Sequence, residues 1–258
     1  MDRAYWRSLF ATMPYAMLGS LRQHGMKGGY LALAVFVFRR LWFPVQMGPV
    51  IRLTNWREAA NYMDNFILGE LRHPDVEKLV QSQPGAVIEV GVNVGVTSRW
   101  WLAQNPVVQV IGVDMMQEAL DYTGRCVAEL NQARRWHPVA GAVGEAAGSM
   151  EVVFDDPLEG TNSLDNAQGG HRRTVEVNTL DAYLQRAPQL QPLLLKIDIE
   201  GHGAAALRGA AKLLQTVPWV VVETHHAEEL SQSADLLSRS GFGLRHFHGR
   251  TMWWSRVS

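Results

Sequence analysis

The sequence predicts an α/β protein whose mostly parallel sheet is covered by helices on both faces. Three observations support this fold class. Apolar segments of strand length alternate with segments in which apolar residues recur at helical spacing. The strand segments are apolar without interruption, which is typical of a parallel sheet buried on both faces. The last two strand segments flank Gly249-Arg250 with no helix between them, which predicts a terminal antiparallel hairpin.

Length and composition limit the organisation of the chain. Its 258 residues, 47% of them hydrophobic, are enough for one α/β domain with an extension or for two small domains. The single cysteine, Cys126, excludes a disulfide framework and a CxxC metal knuckle. It fits a reducing cytosol, and a cysteine-poor exported protein would look the same. The first residues do not show the pattern of a cleavable signal peptide. We therefore expect a cytoplasmic protein.

The first 60 residues are predicted to form a basic, apolar helical extension that precedes a domain over residues 61–258. Residues 1–53 hold seven basic residues and one acidic residue, a net charge of +6, so the remainder carries −7. The apolar run Tyr30 to Phe38 is nine residues long, too short for a helix that crosses a bilayer, which needs about 20. The run fits a core segment, a dimer contact, or a membrane-surface anchor in which Trp42, Phe43 and the arginines meet lipid.

The elements of the second domain follow in order from Gly85. A buried strand ends in a glycine-rich turn ("GAVIEVGVNVG"), a helix follows ("VTSRWWLAQ"), and a second strand comes next ("VVQVIGVDM"). After a further helix ("QEALDYTGRCVAELNQA") and a third strand ("HPVAGAV"), two polar–apolar stretches ("SMEVVFDD" and "RTVEVNTL") flank a polar loop over residues 159–173. Two more buried strands ("LLLKIDI" and "WVVVETHH") each precede a helix, and "FGLRHFH" with "TMWWSR" forms the hairpin.

The glycine turn is the first candidate binding element. It places Glu89, Gly91, Asn93 and Gly95 between a strand and the helix that begins near Val96-Thr97. Glycines allow a tight turn and the close approach of a ligand, and the helix start offers free N–H groups. The spacing is neither the G-x-G-x-x-G of a dinucleotide fold nor the G-K-[S/T] of a phosphate loop. An acid two residues before the first glycine suits a cationic ligand group.

The second candidate binding element is Asp114, at the end of the second strand. An acid in this place of an open α/β sheet typically accepts hydrogen bonds from ribose hydroxyls. With the glycine turn, it predicts a nucleoside that carries an amino-acid-like positive group, which describes S-adenosylmethionine. The alternatives are a turn that binds no ligand and an Asp114 that caps a helix. The predicted cofactor-binding residues are Glu89, Gly91, Asn93, Gly95, Thr97, Asp114 and Met115.

Several stretches together resemble the FkbM family of S-adenosylmethionine-dependent methyltransferases, over about residues 65 to 258. They are "VIEVGVNVG" (87–95), "TNSLDN" (161–166), "VEVNTLDAYL" (175–184), "LLKIDIEGHGAAALRGA" (194–210) and "VVVET" (220–224). The resemblance implies a seven-stranded class I methyltransferase sheet with one antiparallel strand at its end. It places the family's cofactor positions on Glu89, Gly91, Asn93, Gly95 and Asp114. It also implies O-methylation of a hydroxyl on a glycan, glycolipid or other natural product.

The chain departs from the family pattern at two positions. The family commonly has Glu-Pro where this chain has Asp114-Met115, and a shorter acid should still bind ribose. The family often has a second glutamate in an "EGxE" pattern, where this chain has Gly203. The chain must therefore supply a substitute acid or use a different geometry. The second departure keeps open an alternative function: a non-catalytic, cofactor-binding scaffold that docks through its N-terminal segment.

The stretch "LLLKIDIEGHG" (193–203) places Lys196, Asp198 and Glu200 on one face at the end of a buried strand. In a parallel sheet ligands bind beyond the carboxyl ends of the strands, and the next strand ends with three further polar side chains, Glu223, His225 and His226. An alcohol acceptor benefits from a base, and histidine has the best-suited pKa. The predicted catalytic residues are His225, His226, Asp198, Glu200 and Lys196.

Within this catalytic set, one of the two histidines is favoured as the base. Asp198 would then orient the acceptor or serve as an alternative base, and Lys196 would pair with an acid. The structural alternatives are a helix-capping Glu200, a Lys196–Glu223 ion pair between strands, and a His226 that faces solvent.

A divalent metal is a further alternative at this edge of the sheet. Asp198, Glu223 and His225 offer oxygen and nitrogen ligands for such an ion, although nothing in their spacing requires it. The expected partner is a small-molecule, glycan or lipid-linked acceptor, held in part by the polar loop 159–173. Nucleic acid is not expected, because the larger domain is acidic overall and lacks a basic stripe. A nicotinamide-dependent dehydrogenase is disfavoured by the absence of G-x-G-x-x-G.

Overall fold

The computed structural model describes residues 3–47, 51–158 and 170–257, with the backbone alone for residues 3–12. The chain divides into two compact units between Arg72 and His73. The boundary suggested from the sequence, after residue 60, lies within a helix of the first unit. Among the described residues, no helix is both long enough and apolar enough to cross a membrane.

The first unit is mainly helical. Helix α1 (Arg3–Leu33) contains a kink at Gly25, where φ is 58°, and it continues into a π-helix, Ala34–Phe38. A two-stranded antiparallel ribbon follows, formed by β1 (Val45–Met47) and β2 (Ile51–Leu53). Helix α2 (Trp56–Tyr62) then runs into a second π-helix, Met63–Ile67.

The apolar run from Tyr30 to Phe38 is only partly core. Leu31, Ala32 and Ala34 are buried, which fits the interpretation as a core segment. Val37 and Phe38 at its end are exposed. The first part of the run thus packs in the core of the unit, whereas its last two residues are exposed to solvent.

The second unit contains the remaining strands and helices. In chain order the strands are β3 (Gly85–Val90), β4 (Val108–Asp114), β5 (Trp136–Ala140), β6 (Ala142–Val143), β7 (Gly148–Phe154), β8 (His171–Asn178), β9 (Pro192–Ile197), β10 (Trp219–Glu223), β11 (Phe242–His248) and β12 (Thr251–Arg256). The helices are α3 (Pro74–Ser82), α4 (Val96–Gln104), α5 (Gln117–Glu129), α6 (Leu180–Gln185), α7 (Gly203–Arg208) and α8 (Ala227–Arg239).

The larger sheet has seven strands in the order β11-β12-β10-β9-β3-β4-β5. Strands β5, β4, β3, β9 and β10 are parallel, whereas β12 is antiparallel to both of its neighbours. A single strand therefore runs against the other six. This arrangement confirms the predicted class I methyltransferase fold with its terminal antiparallel hairpin. The central parallel strands are mainly apolar because helices cover both faces, and every residue of β3 is buried, including Glu89.

The core of the large sheet fixes the strand ends. Leu195 and Ile197 of β9 pack in one cluster with Val220 and Val222 of β10 and with Leu237 of α8. Burying a leucine or valine side chain contributes about 1.5 to 3 kcal/mol. The carboxyl ends of β3, β4, β9 and β10 are therefore held at one rigid edge, where ligands bind in folds of this kind.

A second, three-stranded sheet has the order β6-β8-β7, with β7 antiparallel to β8. The sequence indicated two polar–apolar stretches here but not a separate sheet. Val152, Phe154 and Val175 face a small core that also contains Met116 and Ala142. Of the loop predicted over residues 159–173, residues 159–169 lie outside the described part of the chain, as does the matching stretch "TNSLDN".

Candidate active site

A cleft lies at the carboxyl edge of the large sheet. It encloses about 730 Å³, the open space at its mouth included. Six residues named from the sequence line it: Gly91, Asn93, Asp114, Met115, Asp198 and Glu200. The tertiary structure thus brings the ends of β3, β4 and β9 around one space, as expected from a parallel sheet.

The glycine turn forms one wall of this cleft. Gly91 has a φ of 86°, and a Cβ there would lie 1.9 Å from the carbonyl oxygen of Asp198. Asn93 and Gly95 are also left-handed, with φ of 52° and 63°, and Gly95 is the N-cap of α4. The side-chain oxygen Oδ1 of Asn93 is buried without a hydrogen-bond partner. A buried acceptor of this kind is costly, so a ligand that donated a hydrogen bond to it would remove that cost.

Asp114 bridges the turn and the start of α5. Its Oδ2 accepts hydrogen bonds from the N–H groups of Val92 at 2.9 Å and Asn93 at 3.0 Å, and its Oδ1 accepts one from Met116 at 2.8 Å. Burial raises the pKa of Asp114, while these three bonds oppose the rise. A carboxylate can accept about four hydrogen bonds, so one acceptor site remains for a ligand hydroxyl. The helix-cap alternative and the ribose-binding hypothesis are thus compatible.

Glu89 lies beneath the cleft rather than in its lining. Its side chain is fully buried, and its two oxygens accept hydrogen bonds from the hydroxyls of Thr97 and Ser98. Lys196 Nζ lies 3.4 Å from Glu89 Oε1. The structure thus places Glu89 and Thr97, both predicted to contact the cofactor, in an internal network that anchors the start of α4. Neither one lines the cleft, because the first turn of the helix supplies partners for the acid.

The charge at the end of β9 is balanced inside the protein. Lys196 Nζ lies 3.1 Å from Asp198 Oδ2 and donates to the backbone oxygen of Gly91 at 3.2 Å. Burial alone would lower the pKa of Lys196, but Asp198 and Glu89 outweigh it and raise that pKa. Burial likewise opposes ionisation of Asp198, and Lys196 reverses that effect and lowers its pKa. The pair is therefore fully ionised at neutral pH.

His225 lies between acids and does not line the cleft. Its Nε2 is 3.3 Å from Glu200 Oε2 and 3.6 Å from Glu223 Oε1, and its Nδ1 is 3.7 Å from Glu229 Oε2. Burial would lower the pKa of His225, but the neighbouring carboxylates of Glu200 and Glu229 outweigh it and raise that pKa to about 10. The imidazole is therefore protonated at neutral pH. This differs from the expectation that a histidine is the base, because the sequence did not show how many carboxylates surround it.

His226 has a local role in the structure. It is the N-cap of α8, and its Nδ1 accepts a hydrogen bond from the N–H of Glu229 at 3.1 Å. Its side chain is exposed and lies outside the cleft. The cap stabilises the start of the helix.

Glu229 is the residue that sequence analysis missed. It is 2% exposed, and it accepts hydrogen bonds from the N–H groups of Gly203 and His225, both at 2.7 Å. A Cβ on Gly203 would lie 2.8 Å from Glu229 Oε1. Glu229 therefore supplies an acid beside the position where the "EGxE" pattern would have one. Its signal in the sequence was the spacing from His226, an N-cap followed three residues later by glutamate.

Three side chains near the cleft have the composition of a metal site. Asp198, Glu223 and His225 each offer one ligand atom, and these atoms lie within 4.8 Å of one another. Oxygen and imidazole ligands suit a divalent cation. Two of the three already have cationic partners: Asp198 pairs with Lys196, and Glu223 Oε1 lies 2.9 Å from Arg250 Nη2. The geometry thus permits an ion, while internal ion pairs already balance the same acids.

Comparison with known proteins identifies related sequences. A model of the methyltransferase FkbM domain matches residues 114–244. The hexuronic acid methyltransferase AglP of Haloferax volcanii is 25% identical over 97 residues, which cover 38% of this chain and 41% of that protein. The matched region is thus about two fifths of this curated relative's length.

Solved structures with a similar fold have low sequence identity. A fibrillarin pre-rRNA processing protein of Methanococcus jannaschii is 8% identical, with a TM-score of 0.48 over 83% of this chain and 81% of that chain. The ribosomal protein L11 methylase of Lactobacillus delbrueckii subsp. bulgaricus is 12% identical, with a TM-score of 0.43 over 76% of this chain and 80% of that chain. Similarity of this degree says nothing about substrate.

Proposed function

Because the chain belongs to the FkbM methyltransferase family, we propose that it transfers a methyl group from S-adenosylmethionine to a hydroxyl of a glycan, glycolipid or other natural product. The observation that carries this proposal is the composition of one cleft. The glycine turn and Asp114 lie on one side of it, and Asp198 and Glu200 lie on another. The glycine turn and Asp114 suit the binding of a nucleoside, and Asp198 and Glu200 suit the binding of a hydroxylated acceptor.

The residues of the cleft fit the cofactor. Asp114 has one remaining acceptor site for a ribose hydroxyl, and Asn93 Oδ1 is a buried acceptor without a partner. Gly91 has no side chain to obstruct the approach of the ligand. Met115 and Met116 add apolar surface for a base ring. When bound, S-adenosylmethionine supplies a methyl group that is already activated by its sulfonium centre.

The charges of the cleft favour a neutral acceptor group. Asp114, Asp198 and Glu200 are acidic, and the described residues that line the cleft include no lysine or arginine. An acceptor carboxylate or phosphate would be repelled by these acids, whereas a hydroxyl would not. The name of the relative AglP, a hexuronic acid methyltransferase, supports a sugar-containing acceptor, but a hexuronic acid carries a carboxylate, so that relative does not support a neutral acceptor group. The same acidic lining weighs against a nucleic-acid substrate.

We assign Glu200 as the base that accepts the proton of the acceptor hydroxyl. It lines the cleft, and its Oε2 is oriented by the imidazolium of His225 at 3.3 Å. Asp198 is less suited to this role because its carboxylate is bound to Lys196. Asp198 would instead orient the hydroxyl. The chain's contribution is thus to position the acceptor oxygen and accept its proton, two effects of which the second is worth about 10²- to 10⁴-fold in rate.

Calorimetry and methyl transfer test the proposal. Asp114→Ala should abolish the binding of S-adenosylhomocysteine, whereas Glu200→Gln should bind it normally and lose methyl transfer to a hydroxylated glycan extract. Normal binding by Asp114→Ala would contradict the cofactor site. Transfer at the normal rate by Glu200→Gln would contradict the assigned base.

The scaffold alternative is tested by the same assay. It was motivated by Gly203, but the carboxylate of Glu229 lies beside that position. A wild-type chain that binds the cofactor and transfers no methyl group to any glycan, glycolipid or natural-product extract would favour the scaffold.

A further inference from the structure

The end of the first unit's long helix presents an exposed surface of large apolar side chains. We call residues 37–43 the aromatic turn. Four of its side chains are exposed: Phe43 to 72%, Phe38 to 52%, Val37 to 49% and Trp42 to 43%. Single exposed apolar residues are common, but four within seven positions form a patch. Such a patch indicates a binding surface.

The aromatic turn is held in place by hydrogen bonds and ring contacts. The hydroxyl oxygen of Tyr30 accepts hydrogen bonds from the N–H groups of Trp42 at 2.8 Å and Phe43 at 2.9 Å. The rings of Phe38 and Trp42 meet edge to face with their centroids 4.6 Å apart. The aromatic side chains are therefore positioned before any partner binds, which reduces the entropy lost on binding.

The two charged residues within the aromatic turn are both positive. Arg39 and Arg40 lie within the turn and are exposed, as are Arg22 and Lys27 of α1. No aspartate or glutamate occurs in the sequence between Asp2 and Glu58. An occupant of this surface must therefore accept both aromatic side chains and cations.

We propose that the aromatic turn binds the surface of an anionic lipid bilayer. Phe38, Trp42 and Phe43 would enter the boundary between headgroups and acyl chains, where aromatic side chains are favoured. Arg39 and Arg40 would lie among the lipid phosphates, each contributing about 1 kcal/mol. This proposal is independent of the identity of the acceptor, and it would bring the enzyme to lipid-linked acceptors.

Charge distinguishes this occupant from a second copy of the chain. In a symmetric dimer the same patch lies on both sides of the interface. The arginines of the two copies would then face each other, and like charges across an interface are unfavourable. An anionic surface has no such penalty. Charge complementarity therefore favours lipid over self-association.

Vesicle flotation with the full chain tests the proposal. We expect the wild-type protein to float with vesicles of phosphatidylcholine and phosphatidylglycerol at low salt, and not with phosphatidylcholine alone. High salt should weaken binding, because screening shortens the range of the charges. Equal flotation with both kinds of vesicle, or none with either, would overturn the proposal.

Matched variants locate the binding surface. Phe38→Ser with Phe43→Ser should reduce partition at least tenfold, and Arg40→Gln should reduce it about fivefold. Phe247→Ser is the control, since that side chain is also exposed, to 49%, but lies on β11 of the other unit. A far-UV circular dichroism spectrum and a thermal unfolding curve like those of wild type show that each variant is folded. Flotation of the Phe38→Ser, Phe43→Ser double variant at the wild-type level would contradict the proposal. So would the finding that the wild-type protein is a dimer and that the double variant is a monomer.

Discussion

The carboxylate of Glu229 joins the first residue of α7 to the loop that follows β10. One oxygen accepts a hydrogen bond from the N–H of Gly203 at 2.7 Å, and the other accepts one from the N–H of His225 at 2.7 Å. Glu200 lies in the loop between β9 and α7, and its carboxylate contacts the imidazole of His225 in the loop after β10. Glu229 therefore sets the distance between the residue assigned as the base and the imidazolium that orients it.

The space beside Gly203 should tolerate no side chain while Glu229 is present. We expect Gly203→Ala to lower the free energy of unfolding by about 1 to 3 kcal/mol, because its Cβ would displace the carboxylate. Glu229→Ala should also destabilise the protein, and the double variant should lose less than the sum of the two. Urea unfolding measures all three. Full additivity would show that the two residues do not share this space.

The pKa of His225 should make stability depend on pH. Its pKa is raised from the usual 6.5 to about 10, so the folded state binds its proton more tightly than the unfolded state. The resulting stability is fully present below about pH 6.5 and is lost as the pH rises through about 10. We expect a loss on the order of 5 kcal/mol across this window.

Urea unfolding at pH 6, 8 and 10 measures this loss, with His225→Gln as the control that should flatten the curve. An NMR titration of the His225 imidazole shows whether this loss of stability arises from that ring. If the His225 ring titrates near 6.5, the carboxylates do not hold its proton.

The buried ion pairs of Lys196 should be sensitive to the removal of one partner. Lys196→Met leaves Glu89 and Asp198 without their cation, and an unpaired buried charge costs about 3 to 5 kcal/mol. Adding Glu89→Gln should recover part of that loss, because the fully buried charge is then absent. Thermal and urea unfolding measure both effects. A Lys196→Met variant as stable as wild type would show that these charges are solvated.

The glycine turn should not tolerate a methyl group at Gly91. A Cβ there would lie 1.9 Å from the backbone oxygen of Asp198, at a φ of 86°. We expect Gly91→Ala to abolish S-adenosylhomocysteine binding and to lower the midpoint of thermal unfolding. Gly148→Ala is the matched control, since a Cβ at that position has no heavy atom within 4 Å. Similar behaviour of the two variants would contradict the close packing of the turn.

Chelation tests the metal alternative. Lys196 and Arg250 already pair with Asp198 and Glu223, so we expect EDTA to leave the melting temperature and methyl transfer unchanged. A loss of either that Mg²⁺ or Mn²⁺ restores would establish the ion. Asp198→Asn and Glu223→Gln would then be expected to weaken its binding.

The fold and the outline of the cleft could be predicted from local patterns. Strands that are apolar apart from a single charged residue, such as Gly85–Val90 with its Glu89, require burial on both faces, and this condition specifies a parallel sheet with covering helices. The carboxyl ends of parallel strands share one edge, so Gly91, Asp114 and Asp198 could be placed together from the sequence. The separate three-stranded sheet could not, because half-buried polar strands carry a weak signal.

The sequence by itself determined which residues carry charge at the strand ends, and only the tertiary structure decided their partners. Glu89 binds Thr97, Ser98 and Lys196 instead of lining the cleft. His225 is protonated because Glu200 and Glu229 lie beside it. The physical reason is that the local sequence determines where each strand ends and which residues stand there. A pKa instead depends on charges and burial contributed by distant parts of the chain.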